Sequence, residues 1–257
     1  MFEFLPAAEL LCLEKAPLVQ VIAQVRFSSQ AVLGTHEGAG AVHDLLADMY
    51  PRLLIEQQQI VTMTPSGSTT ASVPQYRMTD LNRAWSVVLG TDQLSVETAN
   101  YSGWEDLRSR LEAALKAVTD LAKLRVRERV GLRYTNNIQP AGDGTFNGRV
   151  RSDLLGPASD EGWHRHIISM IEQIIAKDED AQLLLRAGIA SQQPLILGSA
   201  PSDTPNGFLI DIDCFNEQPR EFSLEETLEY FDQMNDVDYR CFCWAVPDTY
   251  RSQLTSP

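Results

Sequence analysis

One grammar is written twice along this 257-residue chain. Near the start, an alternating stretch closes on Val25-Arg26-Phe27; at the middle, another carries Leu132-Arg133-Tyr134. Each half later holds an apolar alternation and a Ser-x-x-Glu pair, Ser102 to Glu105 and Ser223 to Glu226. That spacing opens helices, because the serine and glutamate side chains satisfy the first free amides. Two copies of a strand-and-helix plan predict an α+β fold of internally duplicated β-α-β(n)-α units, an antiparallel sheet with its long helices packed on one face. The chain reads as a single domain, 1–257, with a first pseudo-repeat over 1–124 and a second over 125–257. The junction Lys123-Leu124-Arg125 is too short for a flexible tether.

Local patterns fill in the plan. In residues 17–27, Val19, Val21, Ala23, Val25 and Phe27 share one side; Gln20, Ile22, Gln24 and Arg26 share the other. That alternation is a half-buried strand. A helix from about Glu37 to Tyr50 stops before Pro51. Strands over 59–64, 75–79, 84–89 and 93–98, separated by turn-forming clusters, make a meander. Ser102 is expected to cap a helix reaching Lys123, with Leu107, Leu111, Leu115, Val118 and Ala122 as its apolar stripe.

The second half begins with a strand over 125–138. The stretch 139–162 reads as a loop whose length points to a functional or mobile segment. A helix is expected over 164–177, with Ile167, Ile171, Ile174 and Ile175 on one side. Strands over 183–191 and 208–215 are joined by a proline-rich turn region at 195–206. Ser223 caps a helix carrying Leu224, Leu228, Phe231 and Met234; a short helix over 239–245 ends at Pro247, and the tail after Gln253 frays.

The charge balance, 21 Lys+Arg against 35 Asp+Glu, gives a net charge of −14. Such a field repels phosphate backbones and anionic lipid surfaces. No apolar run nears the ~20 residues that cross a bilayer. The opening MFEFLPAAELLCLEKAP lacks a basic start and a cleavable apolar core, so a cytoplasmic location is expected. Cys12, Cys214, Cys241 and Cys243 fit no zinc ribbon or redox pair and read as reduced, small apolar side chains. His164 and His166, two apart on a helix, point about 200° from one another and do not converge on a metal. No nucleophile elbow, P-loop or dinucleotide fingerprint occurs. No metal, cofactor or catalytic residue is expected.

The strand over 125–138 is two-sided. Val126, Val130, Leu132, Tyr134 and Ile138 face one way; Arg125, Arg127, Arg129 and Arg133 face the other, with Gly131 among them. In the strand over 208–215, Asp211 and Asp213 leave the apolar face, and Arg186 stands on the strand between. If these strands are neighbours, arginines face aspartates. Two readings stay open: an ion-pair lattice on a solvated sheet face, or a groove that binds an anionic group or acidic partner through the planar guanidinium fork. The candidate ligand or interface residues are Arg26, Arg127, Arg129, Arg133, Tyr134, Arg186, Asp211 and Asp213.

APLVQVIAQVRF near the N-terminus, RERVGLRYTNNI at the centre, GFLIDIDCF, and YRCFCWAVPDTYRSQL near the end together resemble a sporadically distributed bacterial family of uncharacterised proteins about as long as this chain. The most specific element is its R-x-GLRY-x-N motif, here Arg129, Gly131, Leu132, Arg133, Tyr134 and Asn136. Pro247 interrupts the segment with which members of that family end. The resemblance implies one domain with no assigned activity, encoded beside mobile-element or defence loci.

Three functions follow as expectations. The first is a non-enzymatic binding or assembly subunit whose partner is another protein or a second copy. The second is a small-anion-binding enzyme or sensor in which Arg26, Arg133 and Arg186 hold the anion. The third is nucleic-acid binding by a local basic patch, which requires the arginine stripe to be exposed.

Overall fold

The alternation that opens the chain becomes a strand in a computed structural model, which describes residues 1–9, 13, 15–64, 67–160, 162–189 and 207–255. The chain is α+β, with a large antiparallel sheet of ten strands and five α-helices among the described residues. The elements are β1 (Leu18–Phe27), α1 (His36–Leu46), β2 (Arg52–Thr64), β3 (Gly67–Thr79), β4 (Trp85–Leu89), β5 (Gln93–Thr98) and α2 (Trp104–Ala122). They continue with β6 (Val126–Ile138), α3 (Ser152–Leu155), β7 (Met170–Asp178), β8 (Ala181–Ile189), β9 (Phe208–Asn216), β10 (Arg220–Glu221), α4 (Leu224–Ala245) and α5 (Asp248–Leu254). Packing divides them into two units. One gathers Met1–Val21, Leu132–Asn216 and Asp232–Pro257; the other gathers Ile22–Gly131 and Glu217–Phe231.

In the unit built on Ile22–Gly131, the strand order is β2-β3-β4-β5-β1. Ala23, Val25 and Phe27 of β1 are at most 2% exposed, as the alternation requires. Leu107, Leu111, Leu115 and Val118 are fully buried along one side of α2, which packs on β5 and on α1. The start of α2 differs from expectation. Its N-cap is Gly103, held at a φ of 147° that favours glycine, and no side chain caps it. Ser102 instead donates to Asp106 at 2.6 Å, so the Ser102–Glu105 box does not form.

In the other unit the order is β6-β9-β8-β7. Three elements depart from expectation here. Residues 164–177 are not a helix: a 3-10 turn, His164–His166, precedes β7, which pairs with β8 from Met170↔Ile189 to Asp178↔Ala181. Isoleucines at helical spacing are also β-branched, and on a strand exposed on both faces no alternation is imposed. The stretch 139–162 is not a free loop. It contains α3 and a 3-10 turn, and Phe146, Val150, Leu154, Leu155 and Ala158 are at most 5% exposed. The helices expected at 223 and 239 are one 22-residue helix, α4. The turn region at 195–206 and Cys12 lie outside the described residues.

Candidate binding site: the arginine strand and its carboxylates

Asp211 organises a cluster of charged side chains on β6, β8 and β9. It sits directly opposite Arg186 in the β8–β9 register, and Arg186 is directly opposite Gln173 in the β7–β8 register. Arg133 grips the carboxylate with both arms of its fork, Nε to Oδ1 at 2.6 Å and Nη2 to Oδ2 at 2.8 Å. Arg186 Nη1 donates to Oδ2 at 3.3 Å, and Thr135 Oγ1 donates to Oδ1 at 3.3 Å. Arg186 Nε then reaches Gln173 Oε1 at 3.0 Å. These donors fill the lone-pair directions a carboxylate offers. Asp211 is 1% exposed. Burial tends to lower the Arg133 pKa, but its bonds to Asp211 and the Asp211 charge outweigh that and raise it. The arginine-facing-aspartate arrangement is therefore present in this unit as an ion-pair lattice.

The motif around Gly131 resolves into separate structural tasks. Gly131 lies under Arg129, and a Cβ there would meet Arg129 Nη1 at 2.6 Å. Arg129 donates to Gln24 Oε1 at 3.1 Å and stands 3.6 Å from Glu217. Leu132 is fully buried. Tyr134 leaves the charged cluster and donates its hydroxyl to Asn235 Oδ1 of α4 at 2.8 Å. Asn136 Nδ2 donates to the Ile210 carbonyl at 3.3 Å.

The remaining candidates fall elsewhere. Arg26 pairs with Asp92 at 3.0 Å, and both side chains are over 40% exposed. Asp213 is half-buried and engaged, and its charge bears on Asp238. Arg127 is 5% exposed, with its guanidinium carbon 5.3 Å from the centre of the Tyr230 ring. The arginines of β6 are thus not an exposed basic stripe: Arg127 is buried, and Arg129 and Arg133 are engaged with side chains of their own units.

Sequence reading missed Asp238. In α4, Phe231, Met234, Asp238, Cys241 and Ala245 recur at three- and four-residue steps, and none is more than 2% exposed. Asp238 is therefore a carboxyl group in an apolar stripe. Neither of its oxygens has a hydrogen bond of normal geometry. Burial drives its pKa well up, and the charges of Asp213 and Asp211 push it further; the Cys214 backbone amide opposes them. Asp238 in turn helps raise Cys241, pushed up to about 12, chiefly through its burial. The signal was a lone acid in register with an apolar helix stripe, hidden by reading α4 as two helices.

A cavity of about 510 Å³ opens among Ala7, Ala8, Glu9 and the α5 residues Asp248, Thr249, Arg251 and Ser252. Its arginine, Arg251, donates back to the Val246 carbonyl, to Cys243 Sγ of α4 and to Asp248 at the start of α5. Among the described residues no three His, Cys, Asp or Glu gather as a metal site, and no helix is long and apolar enough to cross a membrane. No family model matches the chain, and no curated protein matches it.

Proposed function

We propose that this chain is a non-enzymatic binding or assembly subunit that acts through protein–protein contacts. The observation that carries this reading is the apolar run leading into and along β7. Trp163, Ile168, Ile171, Ile174 and Ile175 are 65%, 76%, 38%, 38% and 58% exposed. β7 ends the strand order among the described residues. An apolar edge strand is a template for strand addition, in which backbone hydrogen bonds give affinity and alternate side chains give selectivity. The occupant is an extended, basic-flanked segment of a partner protein. A net charge of −14 makes two copies repel, and Asp178, Glu179 and Asp180 at the end of β7 favour lysine and arginine.

Other features support the finer parts of this reading. In one unit β1 stands beside β5, then β4 and β3; in the other β6 stands beside β9, then β8 and β7. That common order supports internal duplication. The family resemblance supports a role beside mobile-element or defence genes. Buried, unbridged Cys214, Cys241 and Cys243 support a cytoplasmic setting.

Affinity purification from the native host tests the proposal. A stoichiometric partner should co-elute with wild type and be lost from Ile175→Lys, and β7 amides should exchange more slowly in the complex. A wild-type protein that elutes alone with a monomeric mass, or a complex in which β7 gains no protection, overturns it.

A further inference from the structure

The pairing around Asp211 leaves one arginine of β6 unanswered. Arg127 is 5% exposed, and its Nε is buried without a hydrogen-bond acceptor among the described residues. Its one ring contact is the face of Tyr230 on α4, 5.3 Å away. The residue directly opposite it across the β6–β10 pair is another arginine, Arg220. Directly opposed residues of an antiparallel pair project to the same side, and like charges there repel. Arg220 is exposed and keeps contacts of its own. A fold that places a second guanidinium beside a buried, acceptor-poor one has built half of an anion site.

We propose that Arg127 and Arg220 bind a compact oxyanion, a phosphate or a carboxylate, between β6, β10 and the first turns of α4. The fork of each arginine offers paired donors that match such oxygens. Arg127 supplies the desolvated, pre-positioned contact, and exposed Arg220 closes over the anion from the solvent side. The Tyr230 ring, 5.3 Å from the Arg127 guanidinium carbon, supplies a cation–π contact on one side of it. Glu226 contributes a nearby charge of the wrong sign, which favours small anions over bulky polyanions. The unliganded site carries the expected electrostatic signature: burial, then the Arg220 charge, lowers the Arg127 pKa. An anion between the two arginines would reverse the second of these effects. This site is independent of the β7 edge.

Isothermal titration with inorganic phosphate and, separately, acetate tests the site in the full chain. At least one should bind saturably with one-to-one stoichiometry and raise Tm; which of them does so identifies the class. Arg220→Gln should weaken binding by about tenfold to a hundredfold, the scale of a lost charged hydrogen bond. Arg127→Met, which keeps the stem and removes the ion, should abolish the response. No saturable heat with either anion overturns the proposal, and so does binding that both variants retain. A Tm rise of undiminished size in Arg127→Met marks a general salt effect and equally overturns it.

Discussion

Two buried aspartates meet different surroundings: side-chain donors surround Asp211, and Asp238 has none. Asp211 accepts from Arg133, Arg186 and Thr135, two of them charged donors. Asp211→Asn should cost about 2–4 kcal/mol in urea unfolding, because it strands two partly buried guanidiniums. Arg26→Ala, which breaks a pair exposed on both sides, should change stability by no more than ~0.5 kcal/mol. Asp238 has no such donors, and its pKa lies well above the ordinary carboxylate value. Its proton is therefore held in the folded chain after the unfolded chain has released it. Its stabilising contribution is complete below the unfolded pKa of about 3.9. It then declines as pH rises, by ~1.4 kcal/mol per unit, until the folded group ionises. Asp238→Asn, which cannot ionise, should flatten that decline; an unchanged slope between wild type and variant would refute the assignment. The Asp211 partnership was legible in the sequence because alternation put Arg133 and Asp211 off the apolar faces of their strands. Asp238 was not, because its helix was read in two pieces.

At the scale of elements, legibility followed burial. β1, β4 and β5 each have one face in the core, and their alternation located them within a residue or two. β7 has neither face buried, so nothing forced a period of two on its side chains, and isoleucines at three- and four-residue steps imitated a helix. What makes it a strand is its pairing with β8, and that pairing depends on a glycine. Gly188 sits opposite Ile171 at a φ of 154°, and any Cβ there would collide with the carbonyl of Met170. Gly188→Ala should detach the start of β7 at a cost of at least ~2 kcal/mol, given strained backbone together with a backbone clash. Hydrogen exchange should show lost protection at Met170–Glu172 with β9 unaffected. Equal protection in the two proteins would show that β7 is held by something other than this pairing. The helix starts were legible to within a residue or two, but the capping group was legible only at α4. Ser223 Oγ accepts from the Glu226 amide at 3.3 Å, whereas Gly103 replaces Ser102 at the head of α2.

For the whole molecule, the route of the chain matters more than the count of its elements. The chain passes between the two units at 21/22, 131/132, 216/217 and 231/232. Three of those crossings fall inside regular elements, β1, β6 and α4. A strand or helix cannot lose half its length without freeing hydrogen bonds at the break and fraying the remainder. The apolar stripe of α4 runs through its crossing without a gap, with Phe231 and Met234 fully buried on either side. Unfolding of one unit should therefore carry the other with it. Calorimetry should record one transition whose calorimetric and van't Hoff enthalpies agree, with a total near 180 kcal/mol at the ~0.7 kcal/mol per residue usual for proteins near 60 °C. Asp211→Asn, which acts in one unit, should lower that single Tm without splitting the peak. Two resolved transitions, with only one shifted by the substitution, would mean that β1, β6 and α4 melt at their midpoints and that the units fold as separate bodies.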